Sequence, residues 1–451
     1  MPLLLLSREV LRRLTFAIGC LGVGAQPIPA QTIVIHAGHL IDGLSAEEQG
    51  PSSIIIDGER ITAVQPGFVS PSGAAAIDLS QATVLPGLIN LHVHLTESQI
   101  LPNSIENAIT YSDLERVLFS TVPAKAALMA GFTSVRDVGS NGLEGIALKR
   151  AIAAGWIEGP RMWVSGPLLS PTGGHGDQHS GLDPALEDPQ WDMAVADGPE
   201  AYVKIVRTLK RDGADLIKIA TSGGVGSVGD SPKDTLMTQA EVRAVVDTAH
   251  SLGMKVAAHA QNKRAVTLAV INGVDSIEHG AGADQESYQL MRTHGTYLVP
   301  TMLPVLKIKE AIALHPDSMS KESIEKALSL IGGKAERTCA AYRAGVKLGF
   351  GTDMPVVYGK VALPDFPKGK DVSAKEFKLL VDACLPPMEA IFTATRNAAD
   401  LIGDNTDIGA IAHGRYADAI AVQNSPLKDI TELERPIFVM KGGKVYKGAG
   451  P

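Results

Sequence analysis

His92 and His94 are separated by a single valine inside a run of apolar residues that reads as a β-strand. In an extended strand, side chains two residues apart share a face. Both imidazoles therefore point the same way and can grip one metal ion. Four further ionisable residues sit at the ends of similar short runs: Lys218 in Asp215-Leu216-Ile217-Lys218-Ile219, then His259, His279, and Asp353 in Gly351-Thr352-Asp353. Each has a plain explanation when taken alone. A single histidine is more often packed or at the surface than a ligand, and a single aspartate can cap a helix. Lysine is rarely buried without a partner, so Lys218 is the anomaly. The signal lies in the conjunction of all six. Imidazole and carboxylate donors suit Zn2+ and similar divalent ions.

The elements that must position these residues follow from the apolar pattern. Eight short apolar runs cover 84–93, 134–138, 162–169, 216–220, 256–260, 276–279, 297–301 and 346–351. Helix-like stretches such as 239–252 and 321–344 lie between them. Strand–helix alternation implies βαβ units and a parallel sheet, and eight repeats favour a closed (β/α)8 barrel of the TIM type. Barrel enzymes place their chemistry at the C-terminal ends of the strands, where the six residues fall. The Gly-, His- and Asp-rich stretch 171–198 reads as a long functional loop over the barrel mouth. Short strands with Gly-containing turns occur at both ends of the chain. They predict a small β-sandwich domain from 31–84 and 400–451, with the barrel at 85–399 inserted.

The 451 residues carry a net charge of −8, and this lack of basic excess argues against a nucleic-acid partner. Cys20, Cys339 and Cys384 show no C-x-x-C spacing. They are expected to be free thiols and not metal ligands. Residues 1–30 read as a signal peptide: Arg12 and Arg13 precede an apolar run at 14–25, with small residues near Ala25 and Ala30 for cleavage. The run is short for a bilayer-spanning helix. The expectation is an exported, periplasmic or secreted enzyme without stable membrane insertion.

The segment Pro86-Gly87-Leu88-Ile89-Asn90-Leu91-His92-Val93-His94 resembles the first-strand signature of the amidohydrolase superfamily. Ser276-Ile277-Glu278-His279-Gly280, Gly351-Thr352-Asp353 and Gly414-Arg415-Tyr416-Ala417-Asp418 match as well. Gly131-Phe132-Thr133-Ser134-Val135-Arg136-Asp137 and Pro171-Thr172-Gly173-Gly174-His175 narrow the resemblance. They point to the imidazolonepropionase-like group that holds Xaa-Pro dipeptidase (prolidase-like) and ochratoxin-hydrolysing enzymes. Asn90 departs from the aspartate common before the first metal histidine.

That resemblance implies a binuclear zinc site. His92, His94 and Asp353 would hold one ion, and His259 and His279 the other. Lys218, as a carbamate formed with CO2, would bridge them, because an ammonium cannot bind a cation. Metal ions so held make water acidic near neutrality, and Asp353 would take its proton and return it to the leaving amine. The implied substrate is an N-acyl amino acid or dipeptide, of Xaa-Pro or ochratoxin A type, and the implied assembly is a homo-oligomer. His175, His179 and Arg136 are candidate contacts for the substrate carboxylate or oxyanion, though Arg136 could instead pair with Asp137 under the rim. Gly223 and Val225 are candidate close contacts with the ligand. Two other readings stand beside this one: ring opening of a cyclic amide, as in imidazolonepropionase, and a metal-free scaffold.

Overall fold

The computed structural model describes residues 31–97, 110–183, 185, 191–314, 320–353 and 370–450. The expected leader, 1–30, lies outside them. The chain begins with strands β1 (Ile33–Leu40), β2 (Ser52–Asp57), β3 (Arg60–Pro66) and β4 (Ala75–Pro86). Gly87 then parts β4 from β5 (Leu88–Val93), so the single run expected at 84–93 serves two sheets. A side chain on Gly87 would put its Cβ 2.1 Å from Thr133 Oγ1, so only glycine passes this junction without a shift.

Strand β5 pairs in parallel with β6 (Phe132–Asp137), and β6 with β7 (Arg161–Val164). Helices α1 (Asp113–Met129) and α2 (Glu144–Ala153) connect these strands. After helix α3 (Pro199–Asp212), a second parallel sheet contains β8 (Leu216–Ala220), β9 (Lys255–Ala260), β10 (Ser276–His279) and β11 (Tyr297–Val299). Helices α4 (Gln239–Ser251), α5 (Lys263–Ile271) and α6 (Gln285–His294) alternate with those strands. Polar caps start them: the Thr238 and Asn262 side chains accept from the N–H groups of Glu241 and Ala265. The helix expected at 321–344 breaks at Gly332-Gly333 into α8 (Lys321–Ile331) and α9 (Lys334–Arg343), behind α7 (Leu303–Leu314). Gly333 has φ 69°, a conformation that suits glycine. Helices α10 (Lys375–Ala383), α11 (Pro387–Thr393) and α12 (Arg396–Ile402) complete this part.

The expected eight-stranded ladder is not continuous. It consists of two parallel arcs of three and four strands. A few backbone bonds cross each seam, among them Asp215 N to Val164 O at 2.8 Å and Leu169 N to Lys218 O at 2.9 Å at one, and Leu91 N to Phe350 O and Asp353 N to His92 O, both at 2.8 Å, at the other. The run at 346–351 is an extended segment and not a ladder strand. It is tied to β11 by Leu298 N to Lys347 O at 3.0 Å and Gly349 N to Leu298 O at 2.9 Å. Period-two alternation fixes what each strand presents. On β9, Val256, Ala258 and Ala260 pack into the cluster that contains the helices' Val242, Val245 and Val266. Ala257 packs on the other side with Val138, Leu216 and Trp163. His259 shares the face of Ala257 and so points inward.

The termini meet in one mixed sheet of seven strands, ordered β14 (Lys444–Lys447), β13 (Phe438–Lys441), β12 (Ala419–Val422), β4, β1, β2, β3. The two-layer sandwich expected from sequence is therefore replaced by one sheet that curls over its own core. Ile54, Ile56 and Ile61 from one end share a buried cluster with Phe438 and Met440 from the other. The turns at the two ends meet closely enough that a Cβ on Gly443 would stand 2.1 Å from Gly58 O.

Two cysteines expected to be free thiols are not. Cys339 on α9 is disulfide-bonded to Cys384 at the end of α10, with 5.6 Å between their Cα atoms. Their separation of 45 residues carries no recognisable spacing.

Candidate metal centre

The strand ends are held in unusual backbone conformations. His279, Thr301 and Asp353 all have positive φ, at 71°, 48° and 50°. Such angles are uncommon for residues with side chains, above all for β-branched threonine, and cost on the order of 1–3 kcal/mol each. Gly351 lets the Asp353 segment lie against β5 and β11. A Cβ there would be 2.3 Å from Val299 Cγ1 and 2.8 Å from His92 Cβ.

These turns converge on one cavity of about 180 Å3. His92, His94, Lys218, His259, His279 and Asp353 all line it, as do His175 and Val225. The ring centroids run in a chain: His175 to His259 at 4.2 Å, His259 to His279 at 4.7 Å, and His279 to His92 at 5.0 Å.

The sharpest geometry is a triangle. His92 Nε2 and His94 Nε2 are 3.3 Å apart, and each is 3.3 Å from Asp353 Oδ1. The other nitrogens of both rings are committed, His92 Nδ1 to Glu278 Oε2 at 2.7 Å and His94 Nδ1 to Gly139 O at 3.2 Å. The three facing atoms are then two lone pairs and a carboxylate oxygen, all acceptors. A proton on His94 can bridge one edge at a time, whereas a central cation satisfies all three. Ligands held at about 2.0–2.1 Å around a tetrahedral zinc stand about 3.3–3.4 Å apart, the length of these edges. The residues present fit a divalent ion.

Two further imidazoles are ready to act as ligands. His259 Nε2 lies 3.2 Å from Gly223 O, and His279 Nδ1 lies 2.7 Å from Thr301 Oγ1, which leaves one nitrogen of each ring uncommitted. Burial lowers both pKa values well below the ordinary range, so both rings are neutral. His92, His279 and Asp353 also form a cluster whose ligand atoms all lie within 4.8 Å of one another.

Lys218 is 2% exposed. Desolvation by burial, opposed by Glu278 and Asp353, lowers its pKa to about 8. His94 moves the other way: burial lowers it, but Glu97 and Asp353 outweigh that and raise it to about 9. Asp353 is opposed by burial, yet His92, His94 and His279 hold it far below the usual carboxylate range.

Below the triangle lies a buried ionic support. Glu278 receives the His92 ring on one oxygen and Arg136 on the other, at 2.7 Å each. Arg136 also donates to Leu91 O at 2.6 Å and Ser276 Oγ at 3.0 Å. Although burial opposes it, Arg136 and His92 hold Glu278 well below the usual carboxylate range. A metal-binding histidine commonly donates its second N–H to a carboxylate, which fixes its tautomer.

Arg136, expected at the mouth as a substrate contact or paired with Asp137, does neither. At 2% exposure it lies beneath the site and pairs with Glu278. Asp137 instead accepts from Leu95 N at 2.9 Å, next to His94. His179 does not line the cavity; its Nδ1 meets Asp177 Oδ1 at 3.0 Å and its ring meets Trp191 edge-on. Gly223 also stays outside the lining, packed so close to Ser231 that a Cβ would lie 2.3 Å from Ser231 O. Its carbonyl orients His259.

Sequence reasoning misses Glu278, Thr301 and Lys334. Glu278 is findable, because Ser276 and Glu278 share a strand face and Arg136 binds both. Thr301 and Lys334 carry no periodic signal; the latter lines the cavity from the start of α9.

Comparison with known proteins agrees with this geometry. Residues 83–446 match the amidohydrolase family. The ochratoxinase of Aspergillus niger is 30% identical over 445 residues, covering 93% of this chain and 88% of that one. Its crystal structure superposes with a TM-score of 0.80, at 29% identity, over 93% of this chain and 97% of that one. The crystal structure of a Xaa-Pro dipeptidase with methionine bound in its active site gives a TM-score of 0.85 at 36% identity, over 93% of this chain and all of that one. Such neighbours give the two parallel arcs the architecture of a TIM-like barrel with an added domain. From its matched residues, its relatives and its fold, this chain belongs to the amidohydrolase family, within the prolidase- and ochratoxinase-like group.

Proposed function

We propose that this protein is a binuclear metal-dependent amidohydrolase that releases a free amino acid from an N-acyl amino acid or dipeptide. The observation that carries the reading is the triangle of three acceptors 3.3 Å apart, supported from below by Glu278 and Arg136. His92, His94 and Asp353 would hold one ion, His259 and His279 the other. Zinc suits this nitrogen and oxygen donor set. When bound, such ions polarise the scissile carbonyl and acidify a water molecule to near neutrality.

The chain's own residues supply the rest. With a pKa near 8, Lys218 is neutral often enough to attack CO2. The amine forms an N–C bond and loses one proton, giving a carbamate with two oxygen donors. Asp353 is a carboxylate at neutral pH and faces the cavity, so it can accept the proton of the attacking water. It can then deliver that proton to the leaving amine nitrogen, which an amide needs in order to leave. His175 Nδ1 donates to Ser227 Oγ at 2.8 Å, because that hydroxyl gives its own proton to Asp230, so the other nitrogen of the neutral ring is an acceptor, suited to the substrate's N–H. Val225 and the walls around it exclude water.

The similar Xaa-Pro dipeptidase and ochratoxinase support linear substrates with a carboxylate beside the scissile amide. Export from the cytoplasm is also proposed. The Cys339–Cys384 disulfide supports it, since disulfides persist in oxidising compartments.

The test is metal analysis of the purified protein together with hydrolysis of a panel of Xaa-Pro dipeptides, N-acetyl amino acids and ochratoxin A. The expected result is about two equivalents of metal and release of the free amino acid. Failure to bind metal after reconstitution with zinc and bicarbonate would overturn the reading. Hydrolysis of cyclic amides in place of linear ones would move the chain to the ring-opening reaction.

A further inference from the structure

The cavity carries a cation that the metal site does not use. Among the described lining residues, the formally charged side chains other than histidine are Lys218, Asp353 and Lys334. The first two belong to the floor with the imidazoles. Lys334 stands apart, on the first residue of α9 after the Gly332-Gly333 break. Its ammonium donates to Thr301 O at 2.7 Å and lies 3.4 Å from Thr301 Oγ1. The nearby acid Glu376 accepts from Met302 N at 2.8 Å and Leu303 N at 2.7 Å. Burial lowers the Lys334 pKa to about 8, an effect that the charges of Glu376 and Asp353 partly offset, so the ammonium predominates at neutral pH. An ammonium has three N–H donors, so one remains for an anion in the cavity.

Position fits this role. Thr301 Oγ1 is 2.7 Å from His279 Nδ1, so the Lys334 ammonium is one hydroxyl away from a floor imidazole. In an N-acyl amino acid, three bonds separate the scissile carbonyl carbon from the carboxylate carbon, a span of at most about 3.8 Å. A carbonyl over the floor therefore brings its carboxylate toward Thr301 and Lys334. Of the other cations, Arg136 is bound beneath the floor, and Lys307 on α7, though near enough to feel the Asp353 charge, does not line the cavity. Beside Lys334, the wall is apolar. Pro304, Val305 and Ile308 of α7 face Leu330 and Ile331 of α8.

We propose that Lys334 is the anchor for the substrate's α-carboxylate, and that the α7–α8 wall selects a large apolar side chain on the amino acid released. The inference rests on the hydrolase reading and narrows its substrates to N-acyl derivatives of residues such as phenylalanine, leucine and methionine. A polar side chain there would lose its hydration without a replacement partner.

The experiment uses the zinc-loaded full chain and inert ligands, so that it does not depend on turnover. N-methylsulfonyl-L-phenylalanine and its carboxamide differ only in the anion. Calorimetry is expected to show the acid binding at least about tenfold more tightly than the amide. Lys334→Met should abolish that preference with metal content unchanged, and Lys334→Arg should restore part of it. A preference that survives Lys334→Met, or is missing in the unaltered protein, overturns the anchor; so does loss of metal from Lys334→Met, which would mark a structural role. Equal binding of the asparagine and phenylalanine acids overturns the wall. Turnover of N-acetyl-L-phenylalanine is read separately. No turnover beside an intact, Lys334-dependent preference would sink the hydrolase reading and leave the anchor standing.

Discussion

The curled terminal sheet and the barrel mouth are built from the same kinds of strand but resolve their polar groups differently. In the terminal sheet, Ile54, Ile56, Ile61, Phe438 and Met440 bury only apolar surface, and the backbone closes ladder to ladder. At the mouth, three residues with side chains hold positive φ, a lysine is buried, and three acceptors face one another at 3.3 Å. The contrast teaches where the fold keeps its tension. Backbone strain is concentrated where an ion and a substrate can relieve it, and none of the described positive-φ residues with side chains lies in the sheet from the termini. The two regions meet at Gly87, so the sheet that carries no chemistry supports the strand that carries His92 and His94.

That comparison can be broken by mutation. The largest effect is expected at the mouth: Asp353→Asn should retain metal and lose turnover by up to about 10⁴-fold, measured as kcat beside metal content. Near-normal turnover would remove Asp353 from proton transfer. Next comes Arg136→Met, which leaves Glu278 buried without its cation. A loss of about 3–5 kcal/mol in denaturant unfolding is expected, together with weaker metal retention. If only stability fell, Glu278 would not be positioning His92. Ile56→Ala is the matching change in the terminal sheet. It should cost about 2–5 kcal/mol yet leave kcat of the folded protein unaltered; a fall in kcat would mean that the two regions are coupled.

The smallest expected effect concerns pH. The metal-free protein holds protons on His94, raised to about 9, and on Lys218, lowered to about 8. Both must leave before the site fills. Raising pH from 7 to 8 at constant dissolved CO2 should therefore speed zinc reconstitution by about fiftyfold, about ninefold through His94 and about fivefold through Lys218. The stability contribution of His94 has the opposite sign. Its folded pKa lies above the unfolded value, so the contribution is present below about 6.5 and lost as pH rises through about 9. The melting temperature of the metal-free protein should fall across that window, and that of the loaded protein should not. Reconstitution that is flat with pH would argue against proton-bearing ligands.

How much is legible in the sequence follows from the range of the rule that applies. Period-two alternation is local, so it aims His92, His94 and His259 correctly without any knowledge of their distant neighbours. The alternation of strands and helices points to the barrel in the same way. Pairing between strands more than 300 residues apart has no local signature, so the terminal strands read as two layers where they form one sheet. Arg136 is legible as a strand residue but not in its duty, because its length reaches the mouth as easily as the floor. The bonds to Leu91 O and Glu278 that decide the matter come from other strands. Lys334 and the cysteine pair depend on how α9 meets its neighbours, which no spacing encodes.

The Cys339–Cys384 bond has a further consequence. The chain between the two half-cystines holds Gly351, Asp353 and the approach to α10. A protease that cuts once within this stretch would divide the backbone but not the molecule, since both fragments stay joined through sulfur. A chain clipped near Asp353 would thus still travel as one covalently joined particle until a reductant opened the bond.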